Sequence, residues 1–434
     1  MIEFILIDIK LFHGIKSKYV QIFYKIKMKD IKLAIIREDK VPIDKRCAIT
    51  PTQARKIQEK FISTKLIVQP SNIRAYTNEE YLNEMIDLQE YIGDCDILIG
   101  VKEVPIEKLI ADKTYFFFSH TIKKQPYNQK LLAAIVERNI RLIDYECLVD
   151  AKGQRIIAFG RYAGIVGAYN AMWTYGRRTS LFDLKRAKDC FDLEALKQEF
   201  VKVQLPPAKI IVTGGGRVAN GAMEVLDGMN IQKVSSNDFL NRSFSYPVYA
   251  QLDSEDYHLR KDGSEFDIKD FYNNPEKYRG DFVKFAKRAD ILIAAAYWHP
   301  KAPVLFTEED MRNEDFKIKV IADITCDIEG SIPSTKKPST IDDPVYDYCP
   351  QKGTIERAFS SPDHINVMAI DNLPCELPRD SSRDFGQMFI DGVLPSLLTG
   401  DKHGIIANAT ICENGKLTKK FAYLQDYLEG NNLS

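Results

Sequence analysis

Residues 208–229, AKIIVTGGGRVANGAMEVLDGM, run from a short apolar stretch through three consecutive glycines into a helical pattern. The apolar run reads as a buried strand, and glycine supplies the backbone freedom that a tight strand-to-helix turn requires. Gly214, Gly216 and Ala219 occupy the positions of a G-x-G-x-x-A pattern. In that setting the first glycine permits the turn, and the second lets a pyrophosphate approach the backbone. The third small residue packs helix on strand, and the helix N-terminus aims its free N–H groups at phosphates. The segment therefore predicts a dinucleotide seat, for NAD or NADP, on a parallel sheet, with Arg217 in the loop. Asp238 lies seventeen residues past Gly221, where an acid contacting the adenosine ribose is expected. Ser235, Ser236 and Arg242 beside it would instead suit a 2′-phosphate.

The remainder of the chain follows the same grammar. Apolar strands are expected at 32–38, 64–70, 95–104, 114–120, 140–146, 289–297 and 317–325, with helices at 50–61, 78–85 and 129–139. Strands alternating with helices predict an α/β fold with mostly parallel sheets. The 434 residues exceed what one core usually supports, so two Rossmann-like domains with a cleft between them are expected. The substrate-side domain comprises 28–158 plus a returning tail, 374–434, and the dinucleotide domain 159–373. Residues 155–178 read as a long interdomain helix, and the polar stretch 237–287 as loop-rich. Residues 1–27 mix apolar residues and lysines without a small-residue cleavage site, so they read as an extension rather than a signal peptide.

Composition excludes several classes. A net charge of −1 leaves no basic field for nucleic acid or an acidic membrane surface. No apolar run approaches the ~20 residues of a membrane helix. Eight cysteines without a C-x-x-C pair fit reduced thiols and a cytoplasmic location. Six histidines without a close pair give no metal constellation.

Two basic residues end apolar strands: Lys102 after DILIGV and His120 after YFFFS. Open α/β sheets place ligands at such carboxyl ends. A lysine beside a histidine can share acid/base work, because each cation lowers its neighbour's proton affinity. Taken singly, a surface cation and a structural histidine are the commoner roles. Arg46, Lys123, Gln125 and Arg155 form a basic and polar set suited to a substrate with more than one carboxylate. Glu146 closes another strand, where it can pair with one of these cations or with a substrate amine.

The stretches DKRCAITPTQARKI, ILIGVKEVPIEKLI, TYFFFSHTIKKQPYN, GQRIIAFGRYAGIVG, ADITCDIEGSIPS and AIDNLPCELPRDSSRDFG, spread over roughly residues 32–400, resemble the lysine-forming saccharopine dehydrogenases. The chain is especially similar to the lysine–oxoglutarate reductase part of bifunctional lysine-degrading enzymes. The wider group includes alanine dehydrogenase and the transhydrogenase alpha subunit. The resemblance implies an NAD(P)-dependent oxidoreductase acting on saccharopine, lysine and 2-oxoglutarate, with Lys102 and His120 as the acid/base pair. It implies Arg46, Lys123, Gln125, Glu146, Arg155 and Phe159 around the substrate. It further implies Gly214, Gly216, Arg217 and Asp238 at the dinucleotide, with Ile370, Asp371 and Leu373 in a late cofactor loop. The glycine loop lacks the cysteine of the fungal enzymes, so no disulfide is expected there. Another amino-acid dehydrogenase, such as one acting on alanine, a transhydrogenase-like subunit and a catalytically silent nucleotide sensor are the alternatives. Oligomeric state is not legible.

Overall fold

The computed structural model describes residues 31–431; the expected extension at 1–27 lies outside the described residues. Among the described residues six strands come first: β1 (Ile31–Ile35), β2 (Thr64–Val68), β3 (Asp87–Leu88), β4 (Ile97–Lys102), β5 (Thr114–Phe118) and β6 (Arg141–Asp144). Ten follow: β7 (Lys209–Thr213), β8 (Gln232–Lys233), β9 (Val248–Leu252), β10 (His258–Arg260), β11 (Tyr278–Gly280), β12 (Ile291–Ala294), β13 (Val320–Asp323), β14 (Tyr346–Cys349), β15 (Thr354–Glu356) and β16 (Ile365–Met368). The tail adds β17 (Thr410–Glu413) and β18 (Lys416–Leu417).

The first sheet has eight strands in the order β18-β17-β6-β5-β4-β1-β2-β3. β1 to β6 pair in parallel, and the tail closes the sheet with β17 antiparallel to β6. The second sheet also has eight strands, β15-β14-β16-β13-β12-β7-β9-β8. Its inner strands are apolar on both faces, as a parallel sheet with helices on both sides requires. Ile210 and Val212 of β7 point into one core cluster and Ile211 into another, and β12 divides Ile291 and Ile293 from Leu292 in the same way. The fold is thus α/β, with two sheets that are mainly parallel. Among the described residues no helix is long and apolar enough to cross a membrane.

Two segments differ from their sequence reading. The helix Gly160–Thr179, expected between domains, packs instead along the second sheet and shares its core with β7, β12 and β13. It also touches the helix Arg217–Gly228 backbone to backbone. A Cβ on Gly164 would stand 1.8 Å from the Val218 carbonyl oxygen, and one on Gly221 2.0 Å from that of Arg161. Residues 237–287 are not loop-rich: they supply β9, which lies next to β7 in the sheet, and the separate β10–β11 hairpin. β9 is short and flanked by Ser, Asn and Asp, so burial between neighbours decides its conformation rather than its own pattern.

Candidate active site

In the first sheet the chain steps from β1 to β2 and β3 on one side, then returns to β4, β5 and β6 on the other. The crevice beyond the carboxyl ends of β1 and β4 is therefore the topological switch point, where open α/β sheets bind ligands. β4 ends on Lys102, which stands opposite Phe118 of β5. His120 follows two residues later in the left-handed region, φ 55°, and opens a short turn over Thr121–Lys123. Its ring stacks on Phe118 with centroids 6.2 Å apart. Lys102 and His120 thus occupy the same edge of neighbouring strands.

Glu146, in the turn after β6, gathers the cations. His120 Nδ1 lies 3.3 Å from its Oε2, while Arg155 Nη2 and Lys123 Nζ lie 3.2 and 3.5 Å from its Oε1. The Glu146 side chain is only 4% exposed. Burial alone would raise its pKa, but the His120 hydrogen bond and the charges of Lys123, His120 and Arg155 outweigh that and hold it down to about 2. An ionised carboxylate only accepts, so His120 Nδ1 keeps its proton whatever the charge of the ring, and the proton the ring can exchange is the one on Nε2. Lys123 and Arg155 share this one carboxylate, and positive charge remains for an anionic ligand.

Beside Lys102 the arrangement is tighter. Arg46 is buried and donates from Nε (3.0 Å) and Nη2 (2.6 Å) to Asp44, while its guanidinium lies 4.1 Å from the centre of the Phe159 ring. The fork expected to hold a substrate carboxylate is therefore largely engaged by Asp44, leaving Nη1 as the remaining donor group. Phe159 stacks on Phe385 at 5.0 Å and forms a wall. Burial lowers the Lys102 pKa, and the charges of Arg46 and Lys40 lower it further. An amine so placed gives up its proton more readily than a surface lysine. Gln125 precedes the helix Pro126–Glu137, and its side-chain oxygen accepts from the Tyr127 hydroxyl at 2.6 Å.

The glycine turn faces a cleft of about 910 Å³, lined among others by Gly214, Gly216, Arg217, Asp253, Thr325 and Asp327. Gly214 has φ 89°, and its N–H donates to the Leu252 carbonyl at 2.7 Å. A Cβ on Gly216 would meet nothing within 4 Å, so the loop is open toward the cleft at the N-terminus of Arg217–Gly228. Open backbone N–H groups at a helix start, with an acid beside them, suit a dinucleotide. An aromatic cavity of about 240 Å³ shares Tyr272 and Ala296 with the cleft and is walled by Tyr257, Phe271 and Trp298. The 237–287 segment supplies Tyr257, Phe271 and Tyr272 to it, and the stretch after β12 supplies Trp298 and Ala296. One hydrogen bond joins the cleft to the Glu146 cluster, Arg217 Nη2 donating to the Arg155 carbonyl at 2.6 Å, and the charge of Lys123 offsets part of the burial that raises the Asp327 pKa.

The acid at the turn is Asp253, not Asp238. Asp253 directly follows β9, and its Oδ1 would lie 2.9 Å from a Cβ built on Gly215. Asp238 sits in the first turn of the helix Ser236–Asn241, 3.6 Å from Arg242, and does not line the cleft. The expected spacing assumes that the strand after the glycine helix neighbours β7. Here that strand is β8 at the sheet edge, and β9 intervenes. Ile370 and Leu373, 2% and 1% exposed, point into the core, so only their backbone is available to a ligand. Asp371 is exposed, with Oδ1 3.9 Å from Cys326 Sγ. The sequence reading missed Asp44, Asp253 and Asp327. Only Asp253 had a signal, an acid directly after the apolar VYAQL.

Residues 34–166 match the family model "Alanine dehydrogenase/PNT, N-terminal domain" and residues 199–420 match "Alanine dehydrogenase/PNT, C-terminal domain". The chain is 31% identical over 445 residues to the mitochondrial alpha-aminoadipic semialdehyde synthase of Mus musculus, covering 92% of this chain and 48% of that protein. The chain thus spans about half the length of that relative. It is 25% identical over 394 residues to the saccharopine dehydrogenase [NAD(+), L-lysine-forming] of Yarrowia lipolytica, covering 85% of this chain and 92% of that one. Among solved structures, an L-alanine dehydrogenase superposes with a TM-score of 0.59 at 13% identity, over 92% of this chain and 99% of that one. The transhydrogenase from Sinorhizobium meliloti superposes with a TM-score of 0.54 at 14% identity, over 89% and 98%. These two likenesses concern the fold alone. With both models matched along the chain, the protein belongs to the alanine dehydrogenase/PNT family.

Proposed function

We propose that this chain is a nicotinamide-dependent saccharopine dehydrogenase of the lysine-forming type, interconverting saccharopine with lysine and 2-oxoglutarate. One observation carries the choice of substrate: Lys123 and Arg155 converge on a single buried carboxylate that also pairs with His120. Such a site has positive charge to spare for a ligand bearing several carboxylates. The name of the Yarrowia relative supports the same reading.

When bound, the nicotinamide supplies or accepts the hydride. Gly214, Gly216 and the start of Arg217–Gly228 would hold the pyrophosphate, with Asp253 at the ribose. Lys102 takes up or returns the proton at the substrate nitrogen, which its burial-depressed proton affinity favours. His120, oriented by Glu146, serves the carbinolamine oxygen through Nε2. Lys123 and Arg155 orient the carboxylates. The test is a comparison of initial rates. NADH oxidation with 2-oxoglutarate and lysine is expected to exceed that with pyruvate and ammonia by orders of magnitude. The reverse ranking would replace this reading with an alanine dehydrogenase, and cofactor binding without turnover on either pair would make the chain a nucleotide sensor.

Two further outcomes follow from the site. Arg155→Ala is expected to raise the KM for 2-oxoglutarate by at least ~10-fold, the size of one lost charged hydrogen bond. An unchanged KM would remove Arg155 from the carboxylate site. Asp253 and Glu255 put acidic groups where a 2′-phosphate would lie, and Arg217 is the one cation lining the cleft among the described residues. Like charges brought together cost several kcal/mol, so NADH is expected to exceed NADPH in kcat/KM by ~100-fold, and Asp253→Ser should narrow that gap. Equal use of both cofactors by the unaltered protein would contradict the assignment.

A further inference from the structure

Glu38 follows β1, is 6% exposed, and takes no part in the chemistry described above. Its carboxylate reaches across to the next strand, where Oε1 accepts from Val101 N at 2.7 Å and Oε2 from Lys102 N at 2.8 Å. The sheet explains why those two N–H groups need it. The backbone ladder between β1 and β4 runs as far as Ile36 N donating to Ile99 O at 3.1 Å. On its other side β4 slips register against β5 between Ile99 and Lys102, so that an extra residue is accommodated just before the lysine. A bulge of this kind leaves ladder groups unpaired and re-aims the side chain that follows. Tyr145 holds the bulge from the opposite side, its hydroxyl donating to the Gly100 carbonyl at 2.8 Å. Gly100 lets the strand pack close here: a Cβ there would stand 2.8 Å from Ile36 Cδ1 and force that side chain to shift.

We propose that Glu38 is the positioning residue for Lys102, clamping the Gly100–Lys102 bulge so that the amine is presented at the switch-point crevice. The inference rests on Lys102 being the proton-transfer group of the proposed reaction. Glu38 is the right kind of residue for this task. A carboxylate accepts two parallel N–H bonds at once, whereas an amide offers one acceptor and turns a donor against the second N–H. Burial and the nearby Asp44 push the Glu38 pKa up to about 8, against the pull of the two backbone N–H groups and of Arg46. The clamp is therefore firmest in alkaline solution.

The experiment compares the unaltered protein, Glu38→Gln and Glu38→Asp at about pH 9, where the carboxyl is ionised. A displacement of about 1 Å at a reacting group costs ~100-fold in rate, so E38Q is expected to lose kcat on that scale while its KM for NADH stays within about twofold. E38D, too short to reach both N–H groups, should fall between. A general loss of structure would move both constants together. Acylation of Lys102 by a lysine-directed reagent, followed by mass spectrometry of its peptide, gives a readout independent of the substrate assigned. The rate at Lys102 should change at least ~5-fold in E38Q, or in E38D should E38Q not fold, with the other lysines unaffected. Unaltered labelling of Lys102 in a folded variant overturns the inference whatever the activity. Altered labelling without lysine-dependent turnover in the unaltered protein leaves the clamp standing and rejects the substrate.

Discussion

Lys102→Met is expected to cut turnover at least ~100-fold, with little change in the affinity for NADH, and His120→Gln should do the same. Lost general acid/base help costs 10²–10⁴-fold in rate, roughly 3–5 kcal/mol of barrier. Methionine keeps the length and apolar stem of lysine, so the wall around it closes much as before while the proton-carrying group is gone. The glycine turn and Asp253 lie on another sheet, which is why NADH binding should survive. The two groups act at different steps of one turnover, whose rate the slower step sets, so the double variant should be little worse than the poorer single one. Turnover near normal in both single variants would remove the pair from the mechanism.

Glu146→Gln should strike both activity and stability. The amide no longer fixes the proton on His120 Nδ1, and turnover is expected to fall about 100-fold. The carboxylate's pKa is depressed from its ordinary 4.5 to about 2 in the folded protein. A group depressed in this way contributes its stability fully above the unfolded pKa and loses it as pH falls through the folded one. The contribution is at most roughly 3 kcal/mol, and less in practice because Lys123 and Arg155 are half exposed to solvent. The Tm gap between unaltered protein and variant should therefore be constant from neutral pH down to about 4.5 and shrink toward pH 2. A gap that stays constant to pH 2.5 would show that the carboxylate is not held by these cations.

What the sequence made legible follows from locality. Lys102 and His120 end apolar runs, and Gly214 and Gly216 sit in a self-contained strand–turn–helix, so neighbouring residues were enough to find them. Asp253 was hidden because β8 and a helix come between the glycine helix and β9, and which strand pairs with β7 is decided by tertiary packing. Arg46 looked like a free cation, yet its fork closes on Asp44 only two residues earlier. The central place of Glu146 depends on His120 and Lys123 from one turn meeting Arg155 from another segment in space, which no spacing encodes. Ile370 and Leu373 fall in the expected loop, but their apolar side chains go to the core, leaving only their main chain for a ligand.

The most direct test is to trace the hydride. With NADH carrying deuterium at its transferable position, 2-oxoglutarate and lysine, saccharopine should form with one deuterium on the carbon that was the keto carbon of 2-oxoglutarate. Deuterated alanine from pyruvate and ammonia, with no labelled saccharopine under any condition, would contradict the account at its centre.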